Sequence, residues 1–202
     1  MKRIVFLLLI LIVSIQTVHG HNPLSAMYYL EVKDGINILN INLSQDGLNA
    51  ALRKHFPKIK FEKISKTEFK QLTVSYLKNN FHLDINGSTI DLLEGGIKLG
   101  SHQTDAKFMV SSLPETFKKL NVSIKAFAEN EQHQTVFSLL LNGKTSKVIL
   151  NKNNDYTASV NFKNSLMVVS SKTFNKNYLW CFVLVPIFLF VKSRINKEST
   201  NT

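Results

Sequence analysis

The chain has a single cysteine, Cys181, among 202 residues. An intrachain disulfide is therefore impossible, and a zinc cage built on cysteines is excluded. Glycine and proline are sparse, at 8 and 4 residues. No Gly-rich phosphate loop, no HExxH pair and no G-x-S-x-G nucleophile elbow occurs. Carboxylates are also few, 14 against 25 Lys and Arg. Asp84, Asp91, Glu94 and Asp105 are scattered, and nothing in their spacing pairs two of them for acid–base work. These absences exclude the strongly signed enzyme classes, and the chain reads as a non-catalytic protein.

A basic balance, net charge +11, is one of the features present. Between Arg53 and Lys70 there are seven basic residues against Glu62 and Glu68. Elsewhere the lysines are dispersed, without Arg clusters or a nucleic-acid-binding motif, so the reading is a solvated face and no nucleic-acid partner. The other feature is apolar ends. Lys2 and Arg3 precede "IVFLLLILIVSI", Ile4 to Ile15, and Val18 and Gly20 then occupy the −3 and −1 positions of a cleavage site. That is the pattern of a secretory signal peptide over 1–20, with His21 as the mature start. At the other end "YLWCFVLVPIFLFV", Tyr178 to Val191, carries no charge and is followed by Lys192, Arg194 and Lys197. Basic flanks hold such a segment with its tail on the cytoplasmic side, and Tyr178 and Trp180 suit the interface at its outer end. The expected organisation is a signal peptide at 1–20, an extracytoplasmic domain at 21–163, a stalk at 164–177, a transmembrane anchor at 178–191 and a basic tail at 192–202. The run is short for a span, about 21 Å against a roughly 30 Å hydrocarbon core, so flanking lysines must snorkel.

Between the ends, period-two alternation dominates. "SAMYYLEV" puts Ala26, Tyr28, Leu30 and Val32 on one face. "INILNINL" puts Ile36 and Ile38 on one face and Leu39, Ile41 and Leu43 on the other, and its asparagines suggest a bulge or a half-covered strand. Two helices follow. The first spans about Gln45 to Phe56 and ends before Pro57. The second starts at a capping box, Ser65 with Glu68, and buries Phe69, Leu72, Thr73, Tyr76 and Leu77. Strands then resume through "FHLDI", "STIDLLEGGIKL", "TDAKFMVSSL", "NVSIKAFAE", "TVFSLLLNG", "SKVILN" and "YTASVNF". Asn86-Gly87 and Asn142-Gly143 mark hairpins, and Gly95-Gly96 a bulge or sharp bend. The fold class is mainly β with two helices: a small antiparallel β-sandwich of eight or nine strands carrying a helix-pair insertion.

Histidine offers the one sharper chemical idea. A mature N-terminus at His21 combines an α-amine with an imidazole, a donor set suited to Cu(II) or Ni(II). The triplet His-Gln-Thr occurs at His102–Thr104 and at His133–Thr135, each time before an alternating strand. With "NVSIKAFAE" between them in a meander, the triplets would share one end of a sheet, about 9.6 Å apart, and His21, His102 and His133 would form a metal site.

The ordering of these segments resembles a family of small exported bacterial proteins of unknown function. It is also similar to the extracytoplasmic domain of nickel/cobalt permease-like (hydrogenase/urease accessory) proteins. The resemblance is carried by the His-Asn-Pro start, "GLNAALRKHF", "EFKQLTVSYLKNNFHLDINGSTI" and "FSLLLNGKTSKVIL". It implies a periplasmic β-rich domain without an established activity. One short span instead of several leaves transport unsupported, and no metal ligands carry over. The functional expectation is a membrane-tethered binding module meeting an envelope protein; the alternative is a periplasmic Cu- or Ni-binding accessory domain.

Overall fold

The computed structural model describes residues 25–33 and 35–169. The expected signal peptide, His21, most of the stalk, the anchor and the tail lie outside the described residues. Among the described residues no helix is long and apolar enough to cross a membrane.

The body is mainly β with two helices, as the alternation indicates. Its elements are β1 (Ala26–Lys33), β2 (Ile36–Ser44), α1 (Gln45–His55), α2 (Lys66–Asn79), β3 (Phe81–Ile85), β4 (Ser88–Ile90), β5 (Leu92–Leu99), β6 (Gln103–Val110), β7 (Lys119–Ile124), β8 (Gln134–Leu141), β9 (Lys144–Asn151), β10 (Thr157–Lys163) and β11 (Leu166–Val169), with a 3-10 turn at Lys152–Asn154. They build two sheets, in the orders β5-β6-β2-β1-β8-β9 and β11-β10-β7-β3-β4. Every pairing is antiparallel except β1 with β8, which run parallel from Ala26↔Thr135 to Glu31↔Leu140. A wholly antiparallel sheet, the reading from short turn spacings, is corrected by this long-range pair.

Local chemistry explains most boundaries. Three two-residue hairpins have positive φ at both loop positions: Asn86 and Gly87, Asn142 and Gly143, and Asn164 and Ser165. That conformation matches strand twist, and Asn and Gly tolerate it best. The third hairpin adds β11, so part of the expected stalk belongs to the second sheet. "STIDLLEGGIKL" is two strands in different sheets, with Asp91 at the corner. There Asp91 N–H donates to Ser111 Oγ at 2.9 Å and Ser111 N–H returns to the Asp91 carbonyl at 3.0 Å. β2 carries no bulge; the shift falls in β5, between Leu92 and Gly95. A Cβ at Gly95 would collide with the Phe108 ring and the Lys107 carbonyl, so only glycine fits that approach. "NVSIKAFAE" stops being strand at Ile124, because Ala126 and Phe127 turn into the core.

Both helices start where their caps dictate. Ser44 Oγ accepts the Gly47 amide, and Ser65 with Glu68 closes a capping box. Leu48, Ala51 and Leu52 of α1, and Tyr76 and Leu77 of α2, join the same hydrophobic cluster as the inner residues of both sheets. The helix pair is thus part of the core. Tyr28 of β1 stacks on Phe81 of β3, ring centroids 6.0 Å apart, linking the two sheets directly.

The Tyr28 hydroxyl lies fully buried without a hydrogen-bond partner among the described residues. An orphaned hydroxyl costs about 1–3 kcal/mol of desolvation. Burial also pushes the phenols of Tyr28 and Tyr76 far above their ordinary value near 10. Below that pH both states keep the proton and the shift contributes nothing. Above it the unfolded chain releases protons that the folded chain retains, so stability falls as pH rises. Tyr28→Phe should raise stability by about 1 kcal/mol near neutrality. It should also reduce the alkaline slope by about 1.4 kcal/mol per pH unit. Urea unfolding from pH 9 upward measures both; an unchanged slope would contradict the burial of this phenol.

Candidate functional site

Two outward sheet surfaces differ in kind. On the second sheet the outward residues of β10, β7 and β3 are polar. Ser159 Oγ donates to Asn121 at 2.8 Å, and Asn121 Nδ2 donates to Asp84 at 3.3 Å. That central part is an ordinary solvated face, and apolar exposure is confined to the edge strand β11, where Leu166 and Val168 stand beside Lys163 and Asn161. On the six-stranded sheet the register aligns a different set. One row runs Ile149, Val136, Met27, Asn42, Asp105, Lys98; the next carries Lys147, Ser138, Tyr29, Asn40, Lys107. A third brings Leu140, Glu31, Ile38 and Met109 together. Met27, Met109 and Ile149 remain 51%, 48% and 52% exposed, three large apolar side chains on one face.

The bulge at Gly95 shapes part of this face into an open groove of about 900 Å³, floored by the side-chain-free Gly95 and Gly96 and walled by Ile38 and Met109. Its polar centre is Asp105. Gln103 Nε2 and Asn42 Nδ2 both donate to its Oδ1, at 2.5 and 2.7 Å. These bonds, the Gln103 one foremost, hold the Asp105 carboxyl below the usual range, with Lys98 alongside. The surface offers an ionised acceptor, amide donors and apolar contacts.

The two His-Gln-Thr triplets do begin at the same end of one sheet, since Thr104, Leu43, Ala26 and Thr135 share a row. The expected meander is corrected: β7 lies in the other sheet, and β2 and β1 stand between β6 and β8. The separation is three strand spacings, about 14 Å. His102 is exposed, and its carbonyl accepts the Gln45 amide at the start of α1, at 3.0 Å. His133 is buried, with Nε2 2.9 Å from Thr135 Oγ1. His21 lies outside the described residues. Among the described residues no group of three or more His, Cys, Asp or Glu is placed to hold a metal ion.

A second cluster was not legible in the sequence. The loop after β7 clamps both helices. Phe127 N–H donates to the Tyr76 hydroxyl at 2.5 Å, and that hydroxyl donates to Glu129 Oε2 at 2.8 Å. His55 Nδ1 lies 3.0 Å from Glu129 Oε1, and Lys54 Nζ donates to the Glu129 carbonyl at 2.7 Å. Asn130 Nδ2 reaches the Gly47 carbonyl at 2.9 Å. Tyr76 is kept protonated mainly by burial, with the Glu129 charge adding to the same direction. Each of these groups serves another within the clamp, so a structural lock accounts for the arrangement. No local pattern announces a contact between residues 53 positions apart.

Set beside known proteins, the chain matches no family model and no curated protein.

Glu129→Ala should lower stability by about 1–3 kcal/mol, since it strips an acceptor from a buried phenol. Combined with Tyr76→Phe, the loss should be less than additive, because both remove one interaction. Urea midpoints of the two single variants and the double variant check this; strict additivity would show that Glu129 does not act through Tyr76.

Proposed function

We propose that this protein is a non-catalytic binding module, a β-sandwich held outside the cytoplasm by a C-terminal anchor, whose open six-stranded face receives an envelope protein. The observation that carries the reading is the uncovered apolar content of that face, where Met27, Met109 and Ile149 are spread over three strands, whereas on the other sheet the exposed apolar Leu166 and Val168 are confined to the edge strand β11. Isolated exposed apolar residues are ordinary, but a rimmed group across adjacent strands marks a contact surface. The anchor and export readings are supported by the apolar segments at 4–15 and 178–191 with their basic flanks. The resemblance to exported β-rich domains agrees with them.

Met27→Asp and Ile149→Asp both place a charge where solvent already reaches, so the fold should survive each. Binding of the partner should weaken at least tenfold, because a charge at a desolvated contact is left unpaired. A photo-crosslinking residue at position 27 of the full chain, expressed in cells, should give an adduct with a discrete protein. Ile149→Asp should remove the adduct, and a probe at position 159, in the polar part of the other sheet, should give none. Equal adducts from both faces, or none from position 27, would contradict the proposal; an adduct of two copies of this chain would replace the envelope partner with self-association.

A further inference from the structure

The connector between α1 and α2 gathers positive charge that the fold does not neutralise. The two carboxylates of the stretch from Arg53 to Lys70 are already engaged within it. Arg53 Nη1 donates to Glu62 at 2.6 Å, and Glu68 accepts the Ser65 amide at 2.7 Å in the capping box. Both carboxyls are held below their usual range by those partners, Arg53 and the Ser65 amide respectively. Lys58, Lys60, Lys63 and Lys66 are exposed, and none of the ion pairs among the described residues includes them. Lys66 is the first residue of α2, where positive charge opposes the helix dipole. Lys70 follows one turn later, and like charges at that spacing repel.

The surface is held in place from beneath. Phe61 lies under the Arg53 guanidinium at 5.4 Å and meets Phe69 edge-on at 6.3 Å. Phe61 and Phe69 pack against the core, so the intervening lysines are presented on the solvent side.

We propose that the Lys58–Lys70 surface docks electrostatically on an anionic phospholipid bilayer. Clustered lysines against the dipole are an unfavourable arrangement in isolation, and a sheet of negative charge relieves it. Lysine is a point charge without the planar fork of arginine, and the one arginine here is committed to Glu62. Such a surface reads charge density instead of a discrete phosphate. Phe61 and Phe69 pack edge-on against each other, with the Arg53 guanidinium over Phe61, and are not free to stack on bases, which argues against a single-stranded nucleic acid. Because those rings face the core, docking is superficial and salt-sensitive, without insertion. Only the choice of a bilayer rests on the tethered reading; the charge asymmetry does not.

The test uses the full chain with vesicles of phosphatidylcholine alone or of phosphatidylcholine mixed with phosphatidylglycerol, read by a water-soluble lysine-acylating reagent and mass spectrometry. Lys58, Lys60, Lys63 and Lys66 should acylate roughly fivefold more slowly, or slower still, in the anionic vesicles, at low salt only, while Lys147 reacts alike in both. Reversing Lys58, Lys60 and Lys63 to Glu should abolish the protection of Lys66, which remains as the reporting amine. Lys66→Glu alone should leave thermal stability equal or higher, since a carboxylate suits that end of α2, which separates loss of docking from loss of fold. Co-sedimentation with the neutral vesicles reports the anchor independently. Protection in anionic vesicles without neutral co-sedimentation keeps the docking and removes the tether. Co-sedimentation with both vesicles and equal acylation overturns the docking and keeps the tether. Protection by a single-stranded oligonucleotide but not by anionic vesicles overturns the proposal in favour of a nucleic-acid partner.

Discussion

The parallel pairing of β1 with β8 is the contact on which the rest of the body depends. It joins the β5-β6-β2-β1 group to the β8-β9 hairpin and so makes one six-stranded sheet from two pieces. In that register Tyr28 and Leu30 lie beside Phe137 and Leu139, all fully buried, and the inner face becomes continuous. The Tyr28 ring on Phe81 then seats the second sheet, and the helices fill the same core. A slip of one residue between β1 and β8 would turn Met27, Tyr29 and Glu31 inward and expose the core set. The unpaired Tyr28 hydroxyl is tolerated within this arrangement because the ring's burial and stacking outweigh it.

What the core consumes determines what is left outside. The inner face of the six-stranded sheet is used entirely in packing. Its outer face keeps Met27, Tyr29, Ile38 and Ile149 with no element over them among the described residues. The glycine bulge in β5 follows from the same packing, because Phe108 needs the space a Cβ would fill, and it also hollows the outer groove. The loop carrying Glu129 and Asn130 fastens α1 and α2, which in turn fixes where their lysine-rich connector stands. Core packing, open face and basic connector are thus consequences of one topology.

Much of this was legible residue by residue. The alternation of Ala26, Tyr28 and Leu30, the capping box at Ser65 and the Asn-Gly turns all act through neighbours in sequence, and each is where the pattern indicates. What the sequence concealed depends on distant partners. The β1–β8 pair, the division of "STIDLLEGGIKL" between two sheets and the Glu129 clamp are set by which surfaces meet in three dimensions. β11 was missed because Asn164-Ser165 lacks the glycine that advertises such a turn. The repeated His-Gln-Thr had a real geometric basis, a shared sheet end. Yet Thr104 and Thr135 serve the core, and Thr104 bonds to Gln45.

The central claim is that this body works outside the cytoplasm, released from its leader and held by its tail. Intact mass with N-terminal sequencing of the protein extracted from native membranes tests both ends together. The account requires a chain that begins at His21 and retains the residues through Thr202 in the membrane fraction. A chain that begins at Met1 and is recovered from the soluble cytosol would contradict it.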